Sequence, residues 1–169
     1  MSDSPDLKSI SARRRPVVAV CGSSAEDAQL NGLAEDVGRL LAAGGATLVC
    51  GGGGGVMAAA CRGALAAGGV TIGILPGGDP AEANPHVQIA VATGMGHARN
   101  AIIVQTADAV IAVGGAYGTL SEIALASACG RPVVGMRTWE LGGRPETIHA
   151  TATPAEAVAL ALRLAGGGR

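Results

Sequence analysis

Short apolar runs alternate with longer amphipathic stretches along most of the chain. The runs fall at 16–21, 46–50, 70–75, 87–91, 108–113 and 131–136. Each is rich in Val, Ile, Leu or Ala and too short for a stable helix, so each reads as a strand. A further short strand is expected around Ile148. Between the runs the apolar period lengthens. Leu30, Leu33, Ala34, Val37, Leu40 and Leu41 share one face of a helix expected over 26–43, which Gly44-Gly45 ends. An alanine-rich helix follows from Val56 to about Ala67, another from near His97 to Thr106, and another to about Cys129. Thr153-Pro154-Ala155-Glu156 opens the last helix with a cap, a proline at the first position and a capping-box glutamate. Strand and helix alternate throughout. This predicts an α/β fold: a doubly wound, mostly parallel sheet of about six or seven strands with helices on both faces, Rossmann-like.

The polar stretch 1–14 reads as a disordered tail and 15–169 as a single Rossmann-like domain binding a nucleotide or phosphate. Composition supports the sheet. Apolar residues are 49% of the chain but aromatics only 1%, with no Phe, so the core must be aliphatic. The 28 glycines lack the period of collagen. A net charge of −1 gives no electrostatic footprint for nucleic acid, and Tyr117 and Trp139 alone make no stacking track for single strands. Cys21, Cys50, Cys61 and Cys129 are scattered without metal-ligand or disulfide spacing, which fits a reducing compartment and no metal site. No apolar run is long enough to span a membrane and no signal-like segment opens the chain, so a cytoplasmic protein is expected. Lys8, in the tail, is the only lysine. It is badly placed for a P-loop or for a Schiff base with pyridoxal phosphate.

The richest stretch is 108–122, which reads as strand, glycine turn and helix start. Gly114, Gly115 and Gly118 let the backbone turn sharply and approach a ligand closely. Thr119 and Glu122 stand at the mouth of the helix, where free N–H groups and the positive dipole end favour an anion. Two readings of Glu122 stay open. It faces what a bound phosphate carries, or Thr119-Leu120-Ser121-Glu122 is a capping box. Five glycines, 51–55, sit directly between a strand and a helix, and Gly52, Gly53 and Gly54 are candidates to wrap a ligand. They do not form a dinucleotide fingerprint, because they follow the second strand and no acidic residue ends it. After Gly22, Ser23 and Ser24 either cap the next helix or offer hydroxyls to a ligand. Arg99, near a helix start, opposes the dipole there; a surface salt bridge and an anion contact both explain it. Ligands of doubly wound sheets bind beyond the carboxyl ends of the strands, and all these residues fall at or just after such ends.

Taken in order, VCGSS (20–24), CGGGGGVMAAA (50–60), GILPG (73–77), TGMGHARN (93–100), DAVIAVGGAYGTLSEIA (108–124) and PVVG (132–135) resemble the Rossmann-like LONELY GUY superfamily, often labelled lysine decarboxylase-like. The lysine count argues against that label. The match is nearest to the branch related to DprA/Smf that includes the molybdenum cofactor carrier proteins. The enzymes of the superfamily cleave cytokinin nucleoside 5′-monophosphates to free base and ribose 5-phosphate. Gly115, Gly118, Thr119 and Glu122 fit their PGGxGTxxE signature, whereas Gly114 replaces its proline and Ala116 its second glycine. Arg99 fits their arginine, but Asn100 replaces the lysine that follows.

The resemblance implies two functions. In the first, the chain is a carrier: the glycine loops and Thr119 hold the phosphate of a bound nucleotide or molybdenum cofactor, with Gly22, Ser23 and Arg99 around the rest. In the second, Glu122 and Arg99 are catalytic for phosphoribohydrolase chemistry, Glu122 stabilising the oxocarbenium-like state and handling water. Neither requires a cofactor of the protein's own. The resemblance also implies a homodimer or homotetramer. A small phosphorylated ligand is expected as partner, and the charge and hydropathy set out above lead to no expectation of nucleic acid or membrane.

Overall fold

A computed structural model describes residues 14–141 and 148–167. Apart from Arg14, the tail expected at 1–14 lies outside the described residues. In chain order the elements are β1 (Val17–Gly22), α1 (Ala28–Ala43), β2 (Thr47–Cys50), α2 (Gly55–Ala66), β3 (Val70–Leu75), β4 (Ile89–Ala92), α3 (Asn100–Thr106), β5 (Ala109–Val113), α4 (Tyr117–Ala128), β6 (Val133–Met136), β7 (His149–Ala150) and α5 (Pro154–Gly167). The seven strands form one sheet in the order β4-β3-β2-β1-β5-β6-β7. Every pairing is parallel. The α/β doubly wound architecture read from the alternation is the one observed.

Period-2 alternation sorts the strand side chains between two apolar layers. Val18, Val20, Leu48, Ile111 and Val134 pack with Leu41 of α1, Ala60 of α2 and Ala157 of α5. Their neighbours Ala19, Cys21, Val49, Val110 and Val133 face the other way, onto Ile103 of α3 and Ile123 of α4. The sheet is thus buried on both faces, as a parallel sheet requires. All five residues of β5 are buried.

The aliphatic, aromatic-poor composition allows close helix packing. A Cβ on Gly38 of α1 would lie 1.9 Å from the Ala60 carbonyl oxygen, and one on Gly63 of α2 would lie 1.9 Å from that of Glu35. The two helices therefore meet backbone to backbone through paired glycines.

Element ends differ from the sequence reading where side chains intervene. Asp27 caps α1, its carboxylate accepting from the N–H groups of Gln29 and Leu30 at 2.9 and 3.0 Å. Ser23 and Ser24 are therefore not its caps. At α5 the threonine half of the capping box forms, Thr153 Oγ1 accepting from Glu156 N at 3.2 Å, whereas the Glu156 carboxylate accepts from Ala152 N, one residue before the cap, at 3.1 Å. β4 starts at Ile89, and the preceding Gln88 turns its side chain back to accept from Thr71 N at 3.2 Å.

Chain order reverses at one place in the sheet. From β1 the chain winds outward through β2, β3 and β4, then returns to lay β5 on the other side of β1. Helices leave β1 and β5 toward opposite faces, so a crevice opens beyond their carboxyl ends.

Candidate functional site

A cavity of about 360 Å³ lies in that crevice. The turn after β1 supplies Gly22, Ser23 and Ser24. The loop after β2 supplies Gly51 and Gly53, with Met57 from α2. Pro76 enters just after β3, and the segment before α3 brings His97, Arg99 and Asn100. From the start of α4 come Ala116, Gly118, Thr119 and Glu122. The connections that follow five strands, β1 to β5, thus converge on one volume.

The glycine runs divide into two groups. Gly51 leaves room for Arg99, since a Cβ there would meet its guanidinium at 2.6 Å. Gly53 also faces the cavity. Gly52, Gly54 and Gly55 instead pack against the chain: a Cβ would meet Leu75 Cδ2 at 2.4 Å, the Ser24 carbonyl oxygen at 3.3 Å and the Ser23 carbonyl oxygen at 2.4 Å. Val56 N donates to the Ser23 carbonyl at 3.0 Å, which ties the start of α2 to the turn after β1. The second run behaves alike. Gly114 abuts Leu30, and Gly115, at φ 124°, lies against the Thr119 side chain. Gly118 has nothing within 4 Å of where a Cβ would stand, so it borders open cavity.

Neither α2 nor α4 has a side-chain cap; Gly54 and Ala116 occupy the cap positions. The first N–H groups of a helix have no intrahelical partner, so both ends leave donors for other acceptors. At α4 those donors border the cavity, because Gly118 and Thr119 line it. The helix begins at Tyr117, which sets Thr119 in its first turn and Glu122 in its second. The capping-box reading of Thr119 to Glu122 therefore fails. Glu122 is only 6% exposed and lines the cavity.

Burial raises the Glu122 carboxyl from 4.5 to about 7, an effect that the Cys21 thiol and the Arg99 charge partly offset. The Cys21 thiol is in turn pushed well up, chiefly by its own burial and then by the neighbouring Glu122 charge. Among the described residues Arg99 forms no salt bridge with a surface carboxylate. Its guanidinium donates to the Gly51 carbonyl at 3.3 Å and to the Asn100 side-chain oxygen. Its buried Nε has no hydrogen-bond partner among the described residues. Asn100, 2% exposed, donates from Nδ2 to Ser121 Oγ on α4 at 3.5 Å. The residue that departs from the lysine of the enzyme motif thus bridges Arg99 to the helix bearing Glu122.

Of the residues singled out in the sequence, Gly22, Ser23, Gly53, Arg99, Gly118, Thr119 and Glu122 meet around the cavity. Gly52, Gly54, Gly114 and Gly115 shape the loops behind it. Ser23 Oγ also accepts from Ala25 N at 3.0 Å, closing its own turn. Pro76 and His97 carried no functional weight in the sequence, yet both line the cavity. Their signal was position alone, one just after a strand and the other in the segment leading to Arg99. Among the described residues no group of three or more His, Cys, Asp or Glu could hold a metal ion, and no helix is long and apolar enough to cross a membrane.

Comparison with known proteins bears on the same site. A model described as the SLOG cluster4 family matches residues 15–162. An uncharacterized protein of Archaeoglobus fulgidus is 42% identical over 120 residues, which cover 71% of this chain and 79% of its own. The structure of the molybdenum cofactor binding protein from the phototrophic bacterium Rippkaea orientalis superposes with a TM-score of 0.84 at 34% identity, covering 90% of this chain and 99% of that one. The molybdenum cofactor carrier protein of Chlamydomonas reinhardtii gives 0.82 at 34% identity with the same coverage. DNA processing protein A of Helicobacter pylori, at 18% identity and a TM-score of 0.68 over 88% of this chain and 80% of its own, shares the fold alone.

Proposed function

The chain belongs to the SLOG cluster4 family, and from that membership we propose that it binds a phosphorylated pterin or nucleotide as cargo, in the manner of a molybdenum cofactor carrier. Arg99 carries the proposal. It is a cation at the cavity wall whose buried Nε has no hydrogen-bond partner among the described residues. Leaving a charged donor unsatisfied is expensive unless a ligand completes it. The uncapped start of α4 supplies the complementary backbone donors for a phosphate. Ser23, Ser24 and His97 offer hydrogen-bonding groups around the remainder. The structural likeness to molybdenum cofactor carriers, at 34% identity over nearly their whole length, points to the same cargo.

The test starts with protein denatured straight after purification, whose released small molecules are weighed by mass spectrometry. It continues with titrations of molybdenum cofactor and of AMP. A pterin or nucleotide carried through purification, and saturable binding that Arg99→Gln weakens roughly tenfold or more, are expected. Absence of any bound phosphorylated ligand together with no saturable binding overturns the reading.

A second reading rests on Glu122. A buried carboxyl titrating at about 7 is poised for general acid–base work at neutral pH. In N-glycosidic hydrolysis it would deprotonate a water that adds to the ribose anomeric carbon as the bond to the base breaks. Free base released from AMP or isopentenyl-AMP, and abolished by Glu122→Ala, would establish this. The departures at Gly114, Ala116 and Asn100 weigh toward the carrier.

We also read the protein as a cytoplasmic homodimer or homotetramer. Ile89, Val91 and Met95 are 40–49% exposed along the β4 edge, and light scattering gives the copy number directly. Nucleic acid is not read as a partner, given a net charge of −1.

A further inference from the structure

The chain has one Tyr, one Trp and no Phe. An aromatic-poor protein would be expected to bury the few large rings it has, because each removes much apolar surface from water. Here Tyr117 stands at the surface, in contact with a partly buried Trp139. Tyr117 is 81% exposed. Its ring centroid lies 5.8 Å from that of Trp139, with the planes tilted at 37°.

The pair adjoins the cavity wall along the chain, without itself lining the cavity. Tyr117 is the first residue of α4, and its neighbours Ala116 and Gly118 both line the cavity. Trp139 is fastened to the same turn. Its indole Nε1 donates to the Ala116 carbonyl at 3.3 Å, and the preceding residue, Thr138, donates from Oγ1 to the Gly114 carbonyl at 2.6 Å. Trp139 also packs on the apolar layer that holds Ile123. One ring is thus anchored and the other left open to solvent beside it.

We propose that Tyr117, braced by Trp139, is a stacking face for the flat heteroaromatic ring of the ligand whose phosphate the cavity holds. The proposal rests on the phosphate-ligand reading above and narrows it. The ligand class is a single-phosphate compound with a planar bicyclic ring, a pterin or a purine. The phosphate anchors at α4 and Arg99, and the ring lies outward over the rim. A ring stacked there excludes water from an exposed apolar surface, while its hydrogen-bonding edge stays free for a receiving protein.

Three probes separate the parts: ribose 5-phosphate, which has no ring, AMP, and a pterin monophosphate. Dissociation constants are measured for the whole protein and for Tyr117→Ala, Tyr117→Leu and Tyr117→Phe, with Trp139 emission followed throughout. Stacking on one aromatic residue corresponds to roughly tenfold in affinity. At least one ring-bearing probe is expected to bind about tenfold tighter than ribose 5-phosphate. Tyr117→Ala and Tyr117→Leu should erase that difference, and Tyr117→Phe should keep it. Trp139 emission should change with the ring-bearing probe and stay constant with ribose 5-phosphate. Whichever of AMP and the pterin gains more identifies the ring. An exposed side chain can be changed without unfolding, and unchanged melting of the variants checks this. Equal affinities for all three probes in the native protein, or a ring preference that survives Tyr117→Ala, overturns the stacking face while the phosphate site stands. Failure of all three to bind overturns both. Loss of oligomeric state in Tyr117→Ala with ring preference intact assigns the pair to an interface between copies and overturns the proposal.

Discussion

Replacing Glu122 with glutamine should change the pH dependence of stability in a calculable way. The carboxyl titrates at about 7 in the folded protein against an ordinary 4.5, mainly because it is buried. Below pH 4.5 it is protonated in both states and contributes nothing. Between 4.5 and 7 the unfolded chain releases the proton and the native protein keeps it. The native state then holds more protons, so stability falls as pH rises. Above 7 the loss is complete. At about 1.4 kcal/mol per pKa unit, the full interval amounts to about 3 kcal/mol. Glutamine keeps the shape and has no proton to lose. The ligand-free Glu122→Gln variant should therefore gain on the native protein progressively from pH 5 to 8, reaching about 3 kcal/mol, or roughly 6–12 °C in Tm for a chain of this size. Urea unfolding of both proteins at half-unit steps of pH measures the gap. A constant offset from the amide's own hydrogen bonds leaves the slope intact. Parallel stability profiles over pH 5–8 would refute the argument, since a carboxyl that titrates normally leaves no pH-dependent gap.

Other expectations follow from single contacts. Gly38→Ala and Gly63→Ala each force a Cβ to within 1.9 Å of a backbone carbonyl oxygen, so each should destabilise by about 1–3 kcal/mol or more in denaturant titrations. Gly118→Ala meets nothing within 4 Å and should leave stability equal or slightly raised, yet weaken ligand binding because the methyl enters the cavity; calorimetry and a binding titration report the two effects separately. Asp27→Ala removes two hydrogen bonds at the start of α1 and should cost about 1 kcal/mol, read from the shift in urea midpoint.

The strands and helices were legible because alternation of apolar period is a local property. The run over 110–113 could hardly be anything but a buried strand, and α5 announced its own start through Thr153, Pro154 and Glu156. The role of Glu122 was less legible, because it turned on where α4 begins. A start at Tyr117 rather than near Thr119 moves the glutamate from a cap to the cavity wall, and no cap residue marks that start. The five glycines were visibly special, but which touch a ligand depends on Leu75 and the Ser23 turn, brought in by tertiary packing. Ser23 and Ser24 stood open between capping α1 and offering hydroxyls to a ligand, and Asp27 three residues on takes the cap. Asn100 read only as a departure from a motif, because its link to Ser121 crosses between two elements. The pairing of Tyr117 with Trp139 had no signature at all, since the two rings are far apart in the chain.

The reversal of strand order at β1 also bears on how the molecule folds. β1, β2, β3 and β4 follow one another as neighbours, so that half can form by successive short crossovers. β5 pairs with β1 in a register running from Val18↔Ala109 to Gly22↔Val113, a closure across most of the chain. Non-local pairings of this kind are slow, because the loop entropy is lost before the contacts form. The cavity straddles that seam, with Ser23 on one side and Thr119 on the other. It therefore does not exist until β1 and β5 have paired. A ligand bridging the seam favours only the closed form and should slow unfolding more than it speeds folding. Loading would then act as a kinetic lock on the finished protein.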